Sequence, residues 1–343
     1  MAKKHTEYNS MDMKALRESA IPAAVMASEG TRFDSAEEAS VFFARELDHI
    51  KAQSYDVEYP ELTALQLLPI SSEADPGADT ITYYTYDKQG LAKVIDNYST
   101  DLPRADVNGK PTTCAIKSIG DSYGYSAQEM RASRLAGKSL DSRKAESARY
   151  AIDNLTNKIA WRGDSDSGLL GVLSPEQNIP LFTLPNGASG KATWKDKTAD
   201  EILADVTAMQ MQVAKTTKNV ERPDTLCLPS DVYMDISNRR IADTSTTVKK
   251  FLLDNAPYLK EIISTAELNS DSVDTNPYAA ETNGAGVAFF FTNDERKLSL
   301  ENPMPFYQYP LQVRNLETVV PCEARTAGVL VYYPMSALIA VGI

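Results

Sequence analysis

The sequence predicts an α+β fold, and three features of its pattern lead to this prediction. Residues 79–119 contain two extended segments around a polar turn region, residues 126–160 carry one long helical pattern, and residues 195–310 alternate helices with strands. Separate runs of strands and helices are typical of α+β proteins, and the alternating part predicts a small α/β lobe. The chain has 343 residues, 43% of them hydrophobic, which is enough for two or three lobes with packed cores.

Composition argues against several classes of function. The formal net charge of −12 disfavours tight binding to nucleic acid, because such binding depends on positive groups that displace counterions from phosphates. The three cysteines, Cys114, Cys227 and Cys322, are far apart in the sequence and odd in number. We therefore expect neither a disulfide framework nor a metal-binding knuckle, and we expect the chain to fold in a reducing cytoplasm.

The two ends of the chain carry no predicted export or membrane segment. The first residues include lysines but no apolar segment behind them, so we expect no secretory signal and a protein made and kept in the cytosol. The apolar run at residues 327–343 is too short to span a bilayer comfortably, and Pro334 divides it. We interpret this run as two buried strands.

The amino-terminal segment is predicted to be an arm. Residues 1–33 are polar and irregular apart from a short helix predicted around Met11 to Ser19, and such an arm needs a partner to order it. Ser35 and Glu38 then form a capping box at the start of a helix that runs to about residue 50. The apolar side chains of this helix lie at helical spacing: Phe43, Leu47 and Ile50.

Residues 79–119 predict a long hairpin with a loose tip. Its two arms are separated by a polar stretch that carries Pro103, Asn108 and Gly109 as turn signals. Alternation places Tyr83 on one face and residues 84 and 86, both tyrosines, on the other. The hairpin has too few large aliphatic side chains to build its own core, so we expect it to lie on another subunit.

Residues 120–124 spell G-D-S-Y-G, the pattern of a nucleophile elbow with Ser122 as the nucleophile. A strand pattern before it and a helix pattern after Tyr125 favour a strand, a sharp turn and a helix. The only histidines, His5 and His49, both precede Ser122, whereas elbow hydrolases place the acid and then the histidine after the serine.

A Ser-Lys pair of Ser122 with Lys117 or Lys138 remains an alternative to the histidine-dependent triad. The competing interpretation is a structural turn that leads into a helix, with Ser126 as its N-cap and Glu129 completing a capping box. We favour this structural interpretation and assign no catalytic residue.

Residues 126–160 predict one long helix, slightly bent at Gly137. At 1.5 Å per residue it would extend about 50 Å, longer than most helices of a compact domain. Its predicted buried face is formed by Ala148, Ile152, Leu155 and Ile159.

The segment after this helix contains three patterns that resemble binding motifs. Residues 162–164 spell an adhesion tripeptide, Asp164 and Asp166 resemble the start of a calcium loop, and the glycines suggest a phosphate-binding loop. The twelfth position of the calcium loop is Pro175 instead of an acid, and no Gly-Lys-Ser/Thr follows the glycines. We interpret the segment as a helix stop with an Asp-rich turn.

Residues 195–310 predict the α/β lobe. Thr198 and Glu201 cap a helix, residues 224–229 form a strand, and Ser230 caps a short helix. Residues 247–263 carry a helical pattern divided at Pro257, and residues 286–294 add a buried strand. The first helix buries Ile202, Val206, Met209 and Val213. No G-x-G-x-x-G follows any strand, so we expect no cofactor.

Four motifs in order resemble one family. They are "LPRADVNGK" before the second hairpin arm, "IGDSYGYSAQEMRASRLAGKSLDSRKAESAR" along the long helix, "AWRGDSDSGLLGVL" after it, and "ARTAGVLVYYPMSAL" near the end. With the order of arm, hairpin, long helix and α/β lobe, they resemble the major capsid proteins of tailed bacteriophages, which have the Hong Kong 97-type shell fold.

The resemblance implies a domain plan. Residues 1–50 would be the amino-terminal arm, 51–74 the start of the peripheral domain, and 75–118 the extended loop. Residues 119–190, with the spine helix, and the return strands at 311–343 would form the peripheral domain, and 195–310 the α/β axial domain. The implied function is self-assembly into an icosahedral shell around phage double-stranded DNA, without catalysis.

The resemblance also implies partners and contact residues. The chain would assemble with itself into hexameric and pentameric capsomers, alongside scaffold, portal and decoration proteins, in the host cytoplasm and then in the virion. It would enclose DNA without sequence-specific binding, and its acidic charge would repel the packaged DNA. No membrane, cofactor or metal is expected. The candidates for contacts between subunits are Tyr83, Tyr84, Tyr86, Asp96, Asp101, Arg104, Asp106, Arg131, Arg134 and Arg143.

Two alternatives stay open at this point. A bacterial nanocompartment shell has a similar fold and would share the arm, loop and spine, but it would contain no DNA. A serine hydrolase using Ser122 belongs to a different class, and Ser122→Ala would distinguish it.

Overall fold

The computed structural model describes residues 59–94, 104–136, 141–272, 274–278 and 285–343. The helices predicted near residues 11–19 and 35–50, the bend at Gly137, and residues Asp96 and Asp101 therefore lie outside the described part. The described part contains six α-helices and sixteen β-strands, so it is the mixed α+β protein that the sequence predicts.

The helices are α1 (Ala64–Leu67), α2 (Ala127–Ala136), α3 (Asp141–Arg162), α4 (Ala199–Thr217), α5 (Ser230–Asn238) and α6 (Val248–Asn255). The strands are β1 (Ile70–Ser71), β2 (Thr80–Gln89), β3 (Asp106–Ala115), β4 (Lys117–Ser126), β5 (Gly163–Asp164), β6 (Leu169–Leu170), β7 (Leu181–Thr183), β8 (Thr225–Pro229), β9 (Glu261–Thr265), β10 (Val287–Phe291), β11 (Leu298–Glu301), β12 (Met304–Gln308), β13 (Gln312–Arg314), β14 (Glu317–Thr326), β15 (Gly328–Val331) and β16 (Ala337–Val341).

These strands form four sheets. The order β1-β11-β15-β6-β5 builds one five-stranded sheet, and the order β7-β16-β10-β8-β9 builds a second. In the third sheet β14 pairs with β4 on one side and with both β12 and β13 on the other. The hairpin of β2 and β3 is a sheet of its own.

A buried aromatic cluster joins the end of α3 to the second sheet. Trp161 and Phe289 are both fully buried, and their rings meet edge to face with centroids 6.5 Å apart. Phe289 also stacks on Phe291 at 4.7 Å. Burying large aromatic side chains is the main favourable term in such a core. The cluster therefore fixes the long helix against the lobe that follows it.

The predicted long helix is observed as α2 and α3, with residues 137–140 outside the described part. Ala148, Ile152 and Ile159 are buried against the β4–β14 sheet, as predicted. Leu155 contradicts the prediction, because its side chain is 44% exposed. The buried stripe of α3 is narrower than the spacing suggests, since one sheet covers only one side of the helix.

The predicted helix stop is confirmed. Helix α3 ends at Arg162, and Gly163 follows with a φ of 82°, a left-handed conformation that glycine adopts without a steric penalty. A Cβ at Gly163 would lie 2.6 Å from the Leu169 carbonyl oxygen, so the close approach also requires glycine. Strands β5 and β6 form a small hairpin here, and the Asp166 N–H donates to Asp164 Oδ1 within its turn.

In the α/β lobe, the predicted first helix is confirmed. Thr198 and Glu201 form a complete capping box at the start of α4, with the reciprocal side-chain and backbone hydrogen bonds present. The buried face contains the four predicted side chains, Ile202, Val206, Met209 and Val213. The predicted strands at 224–229 and 286–294 are β8 and β10.

Two predictions for this lobe are wrong. The pattern after Pro257 is strand β9, because residues 261–265 pair in parallel with β8 and that tertiary pairing overrides the local helical pattern. Ser230 is the first residue of α5 and not its N-cap; Pro229 precedes it, and no side-chain cap is present.

The carboxyl-terminal run forms two buried strands, as predicted. They are β15 and β16, separated by a short 3-10 turn that begins at Pro334. Strand β16 pairs with β10, so the end of the chain lies in the sheet of the 195–310 segment and the expected boundary at residue 311 does not coincide with a sheet boundary. Among the described helices, none is long and apolar enough to cross a bilayer.

Candidate functional site

The G-D-S-Y-G motif lies within a continuous strand. Strand β4 runs through it from Lys117 to Ser126 and pairs over its whole length with β14, placing Ser122 opposite Pro321. Neither Gly120 nor Gly124 has a positive φ. Both the nucleophile elbow and the structural turn predicted here are therefore wrong, because pairing with a distant strand overrides the turn signal of the glycines.

Lys117 does not form the Ser-Lys pair that the sequence left open as an alternative. Residues five apart in a strand are about 17 Å apart and point to opposite faces, so Lys117 cannot contact the Ser122 hydroxyl. Lys138, His5 and His49 lie outside the described residues. Ser122 is exposed, and its N–H donates to Asp121 Oδ1 at 2.7 Å.

We predict that Ser122→Ala leaves particle yield and thermal stability close to wild type. The hydroxyl is exposed at a strand surface, where single substitutions usually change stability by less than about 0.5 kcal/mol. Labelling with a fluorophosphonate probe tests the point directly. Labelling of wild type that disappears in Ser122→Ala would contradict the structural role.

The capping box at the start of α2 is confirmed and is tied to α3. The Ser126 N–H donates to Glu129 Oε2 at 3.0 Å, and the Glu129 N–H donates to Ser126 Oγ at 3.1 Å. Lys144 Nζ lies 3.3 Å from Glu129 Oε2 and donates to the Gly124 carbonyl oxygen at 2.8 Å. The Ser126 N–H and then Lys144 lower the pKa of Glu129. These contacts hold β4, α2 and α3 together.

The two arms of the hairpin are observed as β2 and β3, but the turn predicted at Asn108 and Gly109 is wrong, because both residues lie within β3 and pair with Asp87 and Tyr86. The predicted end of the second arm, residues 117–119, belongs to β4, which pairs with β14 instead.

Ten residue pairs join the strands of the hairpin, from Thr80 opposite Ala115 to Gln89 opposite Asp106, and ten residues of strand extend about 30 Å. Tyr84 and Tyr86 are 61% and 69% exposed, and their rings stack with centroids 6.3 Å apart. The hairpin thus presents an aromatic surface to solvent.

Tyr83 differs from the expectation for the hairpin, because it has a partner within the chain. Its ring packs edge to face on Tyr332 with centroids 4.9 Å apart. The Tyr332 hydroxyl in turn lies 2.9 Å from Ser299 Oγ and donates to Glu301 Oε1 at 3.2 Å. Burial raises the pKa of Tyr332 to about 12, so this hydroxyl stays protonated. Tyr83 anchors the base of the hairpin.

Arg325 provides a second anchor at the same base. Its guanidinium donates to the Pro76 carbonyl oxygen and lies 3.4 Å from Asp79 Oδ1. Neither Arg325 nor Tyr332 was predicted from the sequence. Arg325 lies on β14, which contains Pro321, a residue that argues against a central strand. Tyr332 follows β15 in the apolar run near the end of the sequence.

The charged residues predicted to make contacts between subunits lie on α2, on α3 and at the far end of the hairpin. Arg131 and Arg134 are exposed on α2 and have no hydrogen-bond or ion-pair partner among the described residues. Arg143 is exposed on α3. Arg104 and Asp106 are exposed at the far end of the hairpin. Among the described residues, no ion pair joins Arg131 or Arg134 to Asp106.

A groove lies between α3 and β12. It has a volume of about 400 Å³ and is lined by Ala145, Glu146, Arg149, Phe306, Tyr307 and Gln308. Such a mixed aromatic and charged lining can accept both rings and polar groups of a partner. Among the described residues, no cluster of three or more histidine, cysteine, aspartate or glutamate side chains could hold a metal ion.

Comparisons with known proteins point to one family. A family model described as major capsid protein matches residues 90–343. The capsid of Myoviridae phage XM1 is similar in structure, with a TM-score of 0.72, 16% sequence identity, and coverage of 89% of this chain and 100% of the other. The capsid of a native GTA particle has a TM-score of 0.60 and 10% identity, and the coverage is 91% and 99%.

A virus-like particle from Pyrococcus furiosus is also similar, with a TM-score of 0.50, 12% identity, and coverage of 80% of this chain and 91% of the other. No curated protein sequence matches this chain. At these identities, the structural similarities show the shared fold, and the family model supplies the family.

Proposed function

The chain belongs to the major capsid protein family, and we propose that its copies assemble into the icosahedral shell of a tailed-bacteriophage head around double-stranded DNA. The family is structural, which agrees with a protein that acts by assembly. We propose the virion as its final location and the host cytoplasm as the place of assembly.

The observation that carries this proposal is the uncovered hairpin. A two-stranded hairpin is marginally stable alone in water, and β2 and β3 pair with no other strand in the described part. Within the described part, Tyr83 and Arg325 anchor the base of the hairpin to the rest of the chain. The stacked rings of Tyr84 and Tyr86 remain exposed. A neighbouring subunit would supply the missing cover.

We propose that the hairpin of one subunit lies across α3 of the next. Among the described strands, β4 has a free outer edge in the sheet that α3 packs against, and the exposed Arg131 and Arg134 of α2 lie just beyond its end. Tyrosine and arginine are enriched in the centres of protein interfaces because they combine apolar area with hydrogen-bonding groups. This placement would bury the tyrosines of the hairpin and complete the interface.

The division into arm, extended loop, peripheral domain and axial domain is part of the proposal. Residues 1–50 would reach a neighbouring subunit, and 195–310 would lie near the centre of hexameric and pentameric capsomers. Scaffold, portal and decoration proteins would be further partners. The net charge of −12 would keep packaged DNA from adhering to the wall during filling.

The nanocompartment alternative receives less support. The virus-like particle from Pyrococcus furiosus matches with a TM-score of 0.50, compared with 0.72 for the capsid of phage XM1. A nanocompartment shell would enclose no DNA, so nuclease-protected DNA in particles from infected or producing cells would separate the two functions.

Negative-stain electron microscopy of the purified protein tests the proposed function. We expect closed shells of uniform diameter built from ring-shaped capsomers. A protein that stays monomeric at every salt and protein concentration tested would contradict both shell functions.

A charge-reversal series tests the electrostatic part of the proposal. Asp101→Lys and Asp106→Lys should weaken assembly, because we expect the hairpin acids to pair with Arg131 and Arg134 of a neighbour. Each exposed pair contributes about 0 to 1 kcal/mol, but the contact repeats at every subunit. The loss should be greatest at low salt, where screening is least.

The matched control is Asp254→Lys, which makes the same change of charge at an exposed position of α6. Light scattering over a range of ionic strength measures assembly, and circular dichroism checks the fold of the free subunit. If the hairpin reversals assemble like the control at low salt, the electrostatic contact is wrong even though the family assignment stands.

A further inference from the structure

The outer edge of β4 carries backbone groups that face away from its own sheet. The Tyr309 N–H donates to the Pro321 carbonyl oxygen at 2.9 Å, so the Pro321 carbonyl points toward β12 and away from β4. Ser122 lies opposite Pro321, and such a pair makes no mutual backbone hydrogen bonds. By alternation, Ser118, Gly120, Ser122 and Gly124 all turn their N–H and C=O groups to the outer edge.

Two of these outward groups are already satisfied. Lys144 Nζ occupies the Gly124 carbonyl oxygen, and Asp121 Oδ1 occupies the Ser122 N–H. The N–H and C=O of Gly120 have no partner within the described part of the chain, and Gly120 is exposed. An exposed strand edge of this kind is a template for pairing with another chain.

Strand β2 has a complementary free edge. The Ile116 N–H donates to the Asp79 carbonyl oxygen at 2.9 Å, so the odd-numbered residues of β2 face β3 and the even-numbered ones face outward. The outward positions are Thr80, Thr82, Tyr84, Tyr86 and Lys88. They contain no proline, whereas the outer edge of β3 includes Pro111, which lacks an N–H. Of the two hairpin edges, that of β2 is therefore better suited to pair with a strand of another subunit.

We propose that β2 of a second copy of this chain pairs with the outer edge of β4, which extends the β4–β14 sheet across the subunit boundary. This inference rests on the proposed shell function and deepens it, because it names the strand of the neighbouring subunit with which the hairpin forms backbone hydrogen bonds. Both strands are ten residues long. The pairing would use the part of the β4 edge around Gly120, because the outward groups nearer Ser126 already have partners within the chain.

The neighbourhood of the β4 edge also offers positive charge to a second copy. Helix α2 begins where β4 ends, and its exposed Arg131 and Arg134 have no hydrogen-bond or ion-pair partner among the described residues. Both arginines are therefore available to a neighbouring chain that pairs with this edge.

Proline substitution at the outward positions tests the pairing. Gly120→Pro removes an N–H that makes no hydrogen bond within the sheet, so the free subunit keeps its fold while the intermolecular ladder loses a donor. Gly120→Ala is the matched control, since a Cβ there would lie 3.6 Å from the Cys322 carbonyl oxygen, an ordinary contact. Thr82→Pro and Thr82→Ala form the corresponding pair on β2.

We expect both proline variants to lower shell yield at least fivefold and both alanine variants to stay within twofold of wild type, measured by sedimentation and electron microscopy. Circular dichroism of the free subunits checks that each variant folds. A folded Gly120→Pro subunit that assembles within twofold of wild type would overturn the pairing.

Hydrogen exchange on the wild-type chain gives a second test that needs no variant. The Gly120 amide should exchange at least 100-fold more slowly in shells than in free subunits, together with the amides of Tyr84 and Tyr86. The inward amides of Ile119 and Tyr123 should be protected in both states, because they pair with β14.

The outcomes separate the two proposals. Shells in which the Gly120 amide exchanges as fast as in free subunits would overturn the pairing and leave the shell function standing. Slow exchange of the Gly120 amide without slow exchange of the Tyr84 and Tyr86 amides would show that a strand other than β2 pairs with β4. A wild-type chain that forms no shells under any condition would overturn both proposals.

Discussion

Replacing Lys197 by methionine should destabilise the free subunit by about 3 to 5 kcal/mol, because it leaves a buried carboxylate without its cation. Lys197 Nζ lies 2.6 Å from Asp205 Oδ2, and the two side chains are only 1% and 4% exposed. Trp194 Nε1 donates to the same oxygen at 2.9 Å. Chemical denaturation monitored by circular dichroism measures the loss of unfolding free energy.

The effect should depend on pH. Burial raises the pKa of Asp205, and the hydrogen bonds from Lys197 and Trp194 oppose that rise. Removing Lys197 takes away one of the hydrogen bonds that oppose the effect of burial. The folded-state pKa of Asp205 therefore rises further above its unfolded value. The folded state then favours the neutral acid, and its stability falls as pH rises through that pKa. The deficit of Lys197→Met should therefore be larger at pH 8 than at pH 5.

Two controls separate this effect from a general loss of charge. Lys195→Met removes an exposed lysine from the same turn and should change stability by less than about 0.5 kcal/mol. The double variant Lys197→Met, Asp205→Leu removes both buried charges and should recover part of the loss. Equal unfolding free energies for Lys197→Met and Lys195→Met would contradict the role of the buried pair.

Features that depend on a few neighbouring residues were predicted well from the sequence. The two predicted capping boxes that lie in the described part are confirmed, at Ser126 with Glu129 and at Thr198 with Glu201. The existence of the two hairpin arms and the two strands divided at Pro334 were also correct, although the predicted turn residues Asn108 and Gly109 lie within β3. Local hydrogen bonds and side-chain alternation determine these elements, and both can be read from the sequence.

The errors share a different cause. Strand β4 runs through two glycines because β14, about 200 residues later, pairs with it, and β9 is a strand because it pairs with β8. The exposure of Leu155 follows from which side of α3 the sheet covers. Long-range pairing decides each case, and no local pattern in the sequence reports it.

The anchors at the base of the hairpin were also missed, for the same reason. Arg325 and Tyr83 lie on different strands, and their partners, Pro76 and Tyr332, are remote in sequence. Buried polar pairs such as Lys197 with Asp205 carry no spacing signal either.

Deleting the hairpin should abolish shell formation while the free subunit stays folded. The Ile116 N–H and the Asp79 carbonyl oxygen are 2.9 Å apart, so a two-residue Asn-Gly turn can replace residues 80–115 without moving either end. The deletion removes an independent two-stranded sheet and one ring contact, that of Tyr83 with Tyr332. The contacts of Arg325 with Pro76 and Asp79 are retained.

We expect the deleted subunit to melt within a few degrees of wild type, because the buried cores contain no residue of β2 and none of the exposed half of β3. Assembly should be undetectable by electron microscopy and sedimentation, since each subunit would lose the surface that reaches its neighbour. The double variant Tyr84→Ala, Tyr86→Ala is the matched control: it keeps the backbone of the hairpin and loses only the stacked rings, so its assembly should be weakened but measurable. A deletion variant that still forms closed shells would place the principal contacts between subunits elsewhere on the chain. An intermediate loss of assembly in the tyrosine variant would show that both the aromatic side chains and the backbone edge of the hairpin contribute.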